Sequence, residues 1–286
     1  MQPFNSHTPS SEIDRLEALV GQCLSSAFRK VAELGESGRQ FRQGNQFGEN
    51  QLIADWEIEE QTIELIKQFR LPARIISEEH GILNLVESPS FTVTIDGLDG
   101  SNLYRANQAN SRYCHMVSIH KGDAPTYDDY LVAAMVNLRD GEQLFTTKHK
   151  GSCILTGNSR LPITSKPSTP FGELKRIYAF EDICTQCKIP WSKLESFDCH
   201  DIACLGAKYT DLILGKVDLM LEGTRKLNLE HIIAYGILRE LGGDVIDLEG
   251  HSIASEPINT FGVTEHKGLI AARNPQLAVE FAKILA

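Results

Sequence analysis

Two carboxylates three residues apart, Asp96 and Asp99, stand where an apolar run breaks into glycines: Thr94-Ile95-Asp96-Gly97-Leu98-Asp99-Gly100-Ser101. Phe91 to Ile95 is rich in β-branched and aromatic residues and reads as a strand, while Gly97 and Gly100 permit a tight turn. Asp96 would then end the strand and Asp99 would fold back beside it. Two hard oxygen donors held by a turn suit Mg²⁺, which favours octahedral oxygen ligation and keeps waters free for substrate phosphate. The backbone N–H groups of Gly100 and Ser101 can cradle a phosphate where a helix or anion nest begins. An isolated D-x-x-D-G-S is equally compatible with a solvated Asp-Gly turn, so other segments must decide.

A second acidic cluster supplies them. Ala73 to Ile76 reads as a short strand running into Ser77-Glu78-Glu79-His80-Gly81. Upstream, Asp55-Trp56-Glu57 opens an amphipathic helix whose apolar positions Ile58, Leu65, Ile66 and Phe69 keep helical spacing. Asp55, Glu59 and Glu60 read as ordinary partners of that helix's dipole.

Taken in order, Ser77-Glu78-Glu79, then Ile95 to Ser101, then Glu240-Leu241-Gly242-Gly243 resemble the motifs of the inositol monophosphatase and fructose-bisphosphatase superfamily. The Gly151 to Gly157 stretch is similar to its mid-chain turn and Asp218 to Glu222 to its late strand, so the resemblance runs from about residue 50 to the C-terminus. It implies a metal-dependent phosphomonoesterase that needs no covalent intermediate. By position, Glu78, Asp96 and the carbonyl of Leu98 would hold one Mg²⁺, and Asp96, Asp99 and Glu230 another, in a site of two or three ions. Ser101 would orient the attacking water with Glu57 as its partner, which with Glu78 gives the expected catalytic set. Gly100, Ser101, Lys208, Glu222 and Arg225 are the expected substrate-binding residues.

The departures from the family pattern lie around the same site. Leu229-Glu230 replaces Trp-Asp, Glu57 replaces Asp, and Gly97 stands where proline is common. Each glutamate adds one methylene, about 1.5 Å of reach. Three outcomes therefore stand: an inositol monophosphatase-like enzyme, a 3′(2′),5′-bisphosphate nucleotidase or fructose-bisphosphatase-like enzyme, or a diminished binding or regulatory relative. Gly206-Ala207-Lys208-Tyr209 resembles the nucleotide-phosphatase members of the superfamily, Glu222 lies near the place of an inositol-contacting glutamate in the family, and Arg225 with Lys226 could receive a second phosphate. A phosphoaspartate phosphatase needs D-x-D-x-T and is disfavoured by the two-residue gap between Asp96 and Asp99.

Composition agrees. A formal charge of −10 over 286 residues argues against nucleic acid as a partner, because phosphate backbones are held by clustered Lys and Arg. No apolar run approaches the roughly 20 residues of a membrane helix. The polar start, Met1 to Ser11, lacks a signal-peptide core, and seven cysteines do not make a disulfide framework, so a soluble cytoplasmic protein is expected. The expected assembly is a homodimer, and the resemblance implies inhibition by Li⁺. Cys184-Thr185-Gln186-Cys187 followed by Cys199, His200 and Cys204 could form a small zinc or redox site, although buried cysteine is the plainer reading. None of His80, His115, His120, His231 and His251 has the spacing of a metal pair.

Ser10-Ser11-Glu12 can cap a helix through about Leu34, and the loop from Gln40 to Asn50 corresponds to a region that is often a lid in the family. Consecutive strands are expected at 113–120, 131–137 and 143–147, and the glycines and prolines at 148–170 suggest halves at 1–148 and 149–286. Helical and strand patterns then alternate through Pro275 to Leu285, which favours α/β layers. The resemblance sharpens the fold class to α+β, a layered α-β-α-β-α sandwich with the metal site between the halves.

Overall fold

A computed structural model describes residues 11–42, 50–157, 159–164, 170–223, 229–258 and 268–286. Helix α1, Glu12–Leu34, starts where Ser11 Oγ accepts from Asp14 N at 3.1 Å and stops at Gly35, φ +51°. Two short strands, β1 (Phe41–Arg42) and β2 (Gln51–Leu52), pair ahead of α2, Ile53–Phe69. The chain then enters its main sheet through β3 (Ala73–Ser77), β4 (Gly81–Asn84) and β5 (Phe91–Asp99). After the short helix α3, Ser101–Ala106, come β6 (Cys114–Lys121), β7 (Tyr130–Asn137), β8 (Gln143–Thr147), β9 (Gly151–Thr156) and β10 (Ser159–Pro162). Among the described residues the sheet has eight strands in the order β10-β9-β8-β7-β6-β5-β3-β4. The pairing of β3 with β5 is parallel and the others are antiparallel.

The chain leaves this sheet only after Pro162, so β9 and β10, which follow residue 148, pair into the large sheet. A second sheet of β11 (Arg176–Tyr178), β12 (Asp198–His200), β13 (Leu219–Gly223), β14 (Asp244–Asp247) and β15 (Gly268–Ala272) follows, in the order β12-β11-β13-β15-β14. Its helices are α4 (Glu181–Gln186), α5 (Leu205–Ile213), α6 (Leu229–Arg239) and α7 (Pro275–Leu285).

Three apolar cores separate five layers. Helices α1 and α2 bury Leu16, Val20, Ile58 and Ile66 against Val93, Ile95 and Val117 on one face of the large sheet. Helices α5 and α6 lie between the sheets, where Leu212, Ile232, Ile233 and Ile237 meet Met116, Met135 and Ala271. Helix α7 covers the outer face of the second sheet through Leu277, Ala278 and Phe281. The order is α-β-α-β-α, as the family resemblance implied. Because α6 is apolar on nearly all sides, it sits buried between sheets and carries its first turn, with Glu230, to the end of β5.

One ion-pair cluster joins α5 to β11 and to the segment ahead of β6. Asp211 on α5 accepts from both terminal nitrogens of Arg112, at 2.7 and 2.5 Å, from Tyr178 Oη at 2.7 Å, and pairs with Lys216 at 3.0 Å. Burial opposes ionisation, yet these donors hold its pKa down at about 2. A depressed carboxylate stabilises the fold above its unfolded pKa of about 4 and loses that contribution as pH falls towards 2. Asp211→Asn is therefore expected to flatten the fall of melting temperature over that acid range and to lower stability at pH 7 by about 2 kcal/mol. Thermal melts of both proteins across pH 2–7 check this.

Candidate active site

The register of the large sheet assembles the first ligands. Ser77 on β3 stands opposite Ile95 on parallel β5, so the next residues, Glu78 just past the end of β3 and Asp96 within β5, come side by side; β5 continues through Asp99 rather than ending at Asp96. Beyond Asp96 the pairing of β5 with β6 slips. Asp96 faces Met116 and Asp99 faces Cys114, three steps on one strand against two on the other. This bulge turns Asp96 and Asp99 towards the same side. Gly100 follows at φ +82°, and a Cβ there would lie 2.9 Å from Cys204 Cβ, so only glycine fits.

A cavity of about 220 Å³ opens at this point, lined by six carboxylates, Asp55, Glu78, Glu79, Asp96, Asp99 and Glu230, with Leu98, Gly100, Ser101 and Asn102 among the others. None of the described lining residues is cationic. One oxygen each from Asp96, Asp99 and Glu230 lies within 4.8 Å of the others. Asp96 is 2% exposed; its Oδ1 accepts from Leu98 N at 3.0 Å, while the buried Oδ2 has no hydrogen-bond partner. Burial first, then the charges of Glu230, Asp99 and Glu78, push its pKa well above the ordinary carboxylate range. Burial likewise raises Asp99, against the donors Cys204 Sγ at 3.0 Å and Gly206 N at 2.5 Å. A close set of hard oxygens, an orphaned buried oxygen and no internal counter-charge fit divalent cations.

Glu57 is a correction. Its side chain is 42% exposed, pairs with Lys30 on α1 at 3.5 Å and does not line the cavity. Two helical residues turn by about 200°, so Asp55 on the opposite face of α2 enters the cavity, 7% exposed. Its pKa is raised well above normal by burial, then by Glu79, Glu59 and Glu78. The dipole-partner reading of Asp55 and Glu59 fails with it, since both are buried.

The remaining expected residues fall in two groups. Ser101 lines the carboxylate cavity at the first turn of α3. Lys208 and Glu222 line an adjoining cavity of about 270 Å³, which shares Asp99, Asn102, Ala203 and Glu230 with the first. There Lys208 Nζ lies 2.6 Å from Glu222 and 2.6 Å from Asp201, and 4.7 Å from the centre of the Phe180 ring. Asp201 and Asn102 lie outside the sequence motifs, and Glu79, part of the Ser77-Glu78-Glu79 motif, has no role assigned by it. Arg225, together with Lys226, lies outside the described residues, as does most of the Gln40 to Asn50 loop.

His231 donates to or accepts from Tyr209 Oη at 2.8 Å, and His115 Nδ1 bonds the carbonyl of Asp96 at 2.9 Å. Both are buried scaffold groups. Cys204 caps α5 and touches Asp99, apart from Cys184, Cys187 and Cys199, and all seven cysteines are free. Among the described residues, the carboxylate triad is the cluster with metal-site geometry. No described helix is long and apolar enough to cross a membrane.

Comparison with known proteins agrees with this architecture. A hypothetical protein of Pyrococcus horikoshii, described as having similarities to inositol-1 monophosphatase, superposes with TM-score 0.73 at 17% identity, covering 96% of this chain and 100% of that one. The extragenic suppressor protein suhB of Bartonella henselae gives TM-score 0.73 at 13% identity, covering 94% and 98%. An inositol monophosphatase of Anabaena (Nostoc) gives 0.71 at 14%, covering 96% of each. No curated protein matches the sequence significantly. The sequence model of the inositol monophosphatase family matches residues 12–286, and the chain belongs to that family.

Proposed function

We propose that the protein is a Mg²⁺-dependent phosphomonoesterase acting on the monophosphate of a small, neutral polyol, in the manner of an inositol monophosphatase. The observation that carries this reading is the cavity of six carboxylates in which Asp96, Asp99 and Glu230 converge within 4.8 Å. In this reading Glu78, Asp96, the Leu98 carbonyl, Asp99 and Glu230 hold the ions. Bound Mg²⁺ would polarise the ester and lower the pKa of water in the cavity. Ser101, with Asp55 in place of Glu57, orients that water and takes up its proton. Gly100 and Ser101 face the phosphate.

The adjoining cavity bears on the leaving group. Lys208 is the cation among its described charged residues, and it is already held by Asp201 and Glu222 at 2.6 Å each. A second phosphate there would meet a neutralised lysine beside Asp99 and Glu230, whereas hydroxyl groups can use the carboxylate oxygens as acceptors. This favours a polyol monophosphate over 3′-phosphoadenosine 5′-phosphate or fructose 1,6-bisphosphate. Steady-state assays of inositol monophosphate and those two compounds test it: kcat/KM should be at least about tenfold higher for the polyol, the value of roughly 1.4 kcal/mol. A bisphosphate preference of that size would reverse the substrate assignment.

Glu230 stands at the head of α6, where the family usually has aspartate, and its oxygen already reaches the triad. Glu230→Asp would withdraw that oxygen by about 1.5 Å. Activity should fall about tenfold or more, with a raised Mg²⁺ requirement. A gain in rate would mean that glutamate weakens the site.

A further inference from the structure

The geometry points to Glu59 as the positioning residue that locks Glu78 and Asp96 into one site, by accepting hydrogen bonds from the backbone and side chain around both. Glu59 lies one turn beyond Asp55 on α2, is 0% exposed and does not line the carboxylate cavity. Its Oε2 accepts from Ser77 Oγ and from Glu79 N at 3.0 Å, the residues on either side of Glu78. Its Oε1 accepts from Gly97 N at 3.2 Å, the residue after Asp96. Ser77 Oγ in turn accepts from His80 N at 3.0 Å, so the turn that carries Glu78 is tied at both ends. One buried carboxylate therefore stitches α2, the end of β3 and the bulge of β5.

Gly97 makes this possible. A Cβ at residue 97 would lie 2.6 Å from Asp55 Oδ1 and 2.7 Å from Glu59 Cγ, so a side chain there would push α2 away. Proline would also remove the N–H that Glu59 uses. The glycine departure and the buried glutamate thus belong together: α2 can approach β5 closely enough to place Asp55 in the cavity and Glu59 behind it. Three donors converge on one carboxylate, and a carboxamide cannot satisfy all of them. In Glu59→Gln the oxygen can serve Ser77 and Glu79, but the amide NH₂ then faces the N–H of Gly97, donor against donor.

The inference rests on the metal-site reading above, and its test separates the two. Mg²⁺ binding to wild type, Glu59→Gln and Ser77→Ala is measured by calorimetry, with phosphate release measured in parallel. Glu59→Gln should weaken Mg²⁺ binding about tenfold or more, while kcat at saturating Mg²⁺ stays within about threefold of wild type. Ser77→Ala, which removes one donor and leaves the carboxylate, should give a smaller loss and carries the test if Glu59→Gln shows no cooperative melt. Unchanged Mg²⁺ affinity in the folded variants, or a collapse of kcat with affinity intact, would overturn the positioning role. If wild type binds Mg²⁺ but hydrolyses no phosphomonoester, the phosphatase reading fails, while weakened binding by Glu59→Gln still supports the role of Glu59. If wild type binds no Mg²⁺, both fail.

Discussion

Asp96→Asn is expected to lower Mg²⁺-dependent turnover by about 10²- to 10³-fold while raising the melting temperature of the protein in EDTA. Both effects have one cause. Asp96 is buried, its Oδ2 has no partner, and Glu230, Asp99 and Glu78 oppose its charge. In the proposed metal site that oxygen would be free to serve a cation held together with Glu78, Asp99 and Glu230. In EDTA the same charge is a cost of folding, and the amide removes it while keeping the shape. Nearby carboxylates can accept from the new NH₂ group, so the substitution leaves no stranded donor. Relief of each kcal/mol should appear as about 2–4 °C in a chain of this size. Calorimetric melts with and without Mg²⁺, beside steady-state rates, measure both signs. An inactive variant that also melts lower in EDTA would mean that the lost rate is a folding defect.

The second large effect separates neighbours on one helix. Asp55→Asn should reduce kcat about 10²-fold or more, the usual range for removing a positioned proton acceptor, whereas Glu57→Gln should remain within about twofold of wild type. Asp55 lines the cavity with Ser101, and burial with three neighbouring glutamates gives it a raised affinity for a proton. Glu57 pairs with Lys30 on α1 at a partly exposed position, where an ion pair contributes little. Rate measurements at saturating Mg²⁺ distinguish them. The reverse pattern would place Glu57 in the chemistry and move Asp55 to the scaffold.

The β-branched run from Phe91 made β5 legible but not its end, since the strand continues through a bulge to Asp99, and the order of the three acidic segments made the layers legible through family resemblance. The limit of the sequence was helix phase. The apolar positions Ile58 and Ile66 of α2 are legible, but Asp55 and Glu59, which share their buried face with Thr62, read from the sequence as partners of the helix dipole. Two acids on the buried stripe were the available signal. Lys208 was visible as an unusual charge, but its partners Asp201 and Glu222 come from two other segments, so neutralisation is a through-space property that spacing does not encode. The same holds for Glu59, whose three donors lie 18 to 38 residues away.

Those through-space relations change how the departures from the family pattern are understood. Glu230 reaches the ligand cluster despite its extra methylene, and Gly97 supplies both the clearance and the N–H that Glu59 occupies. Glu57 pairs with Lys30 on the face of α2 opposite Asp55. The site thus keeps an acidic lining with these residues in place.

The most direct test is phosphate release from inositol monophosphate by the wild-type protein as Mg²⁺ is titrated from EDTA-treated solution. Turnover should be absent in EDTA, rise saturably with Mg²⁺ and fall by about 10²- to 10³-fold in Asp96→Asn at every Mg²⁺ concentration. Hydrolysis that proceeds equally in EDTA, or that survives Asp96→Asn undiminished, would contradict a carboxylate-held metal centre at Asp96, Asp99 and Glu230.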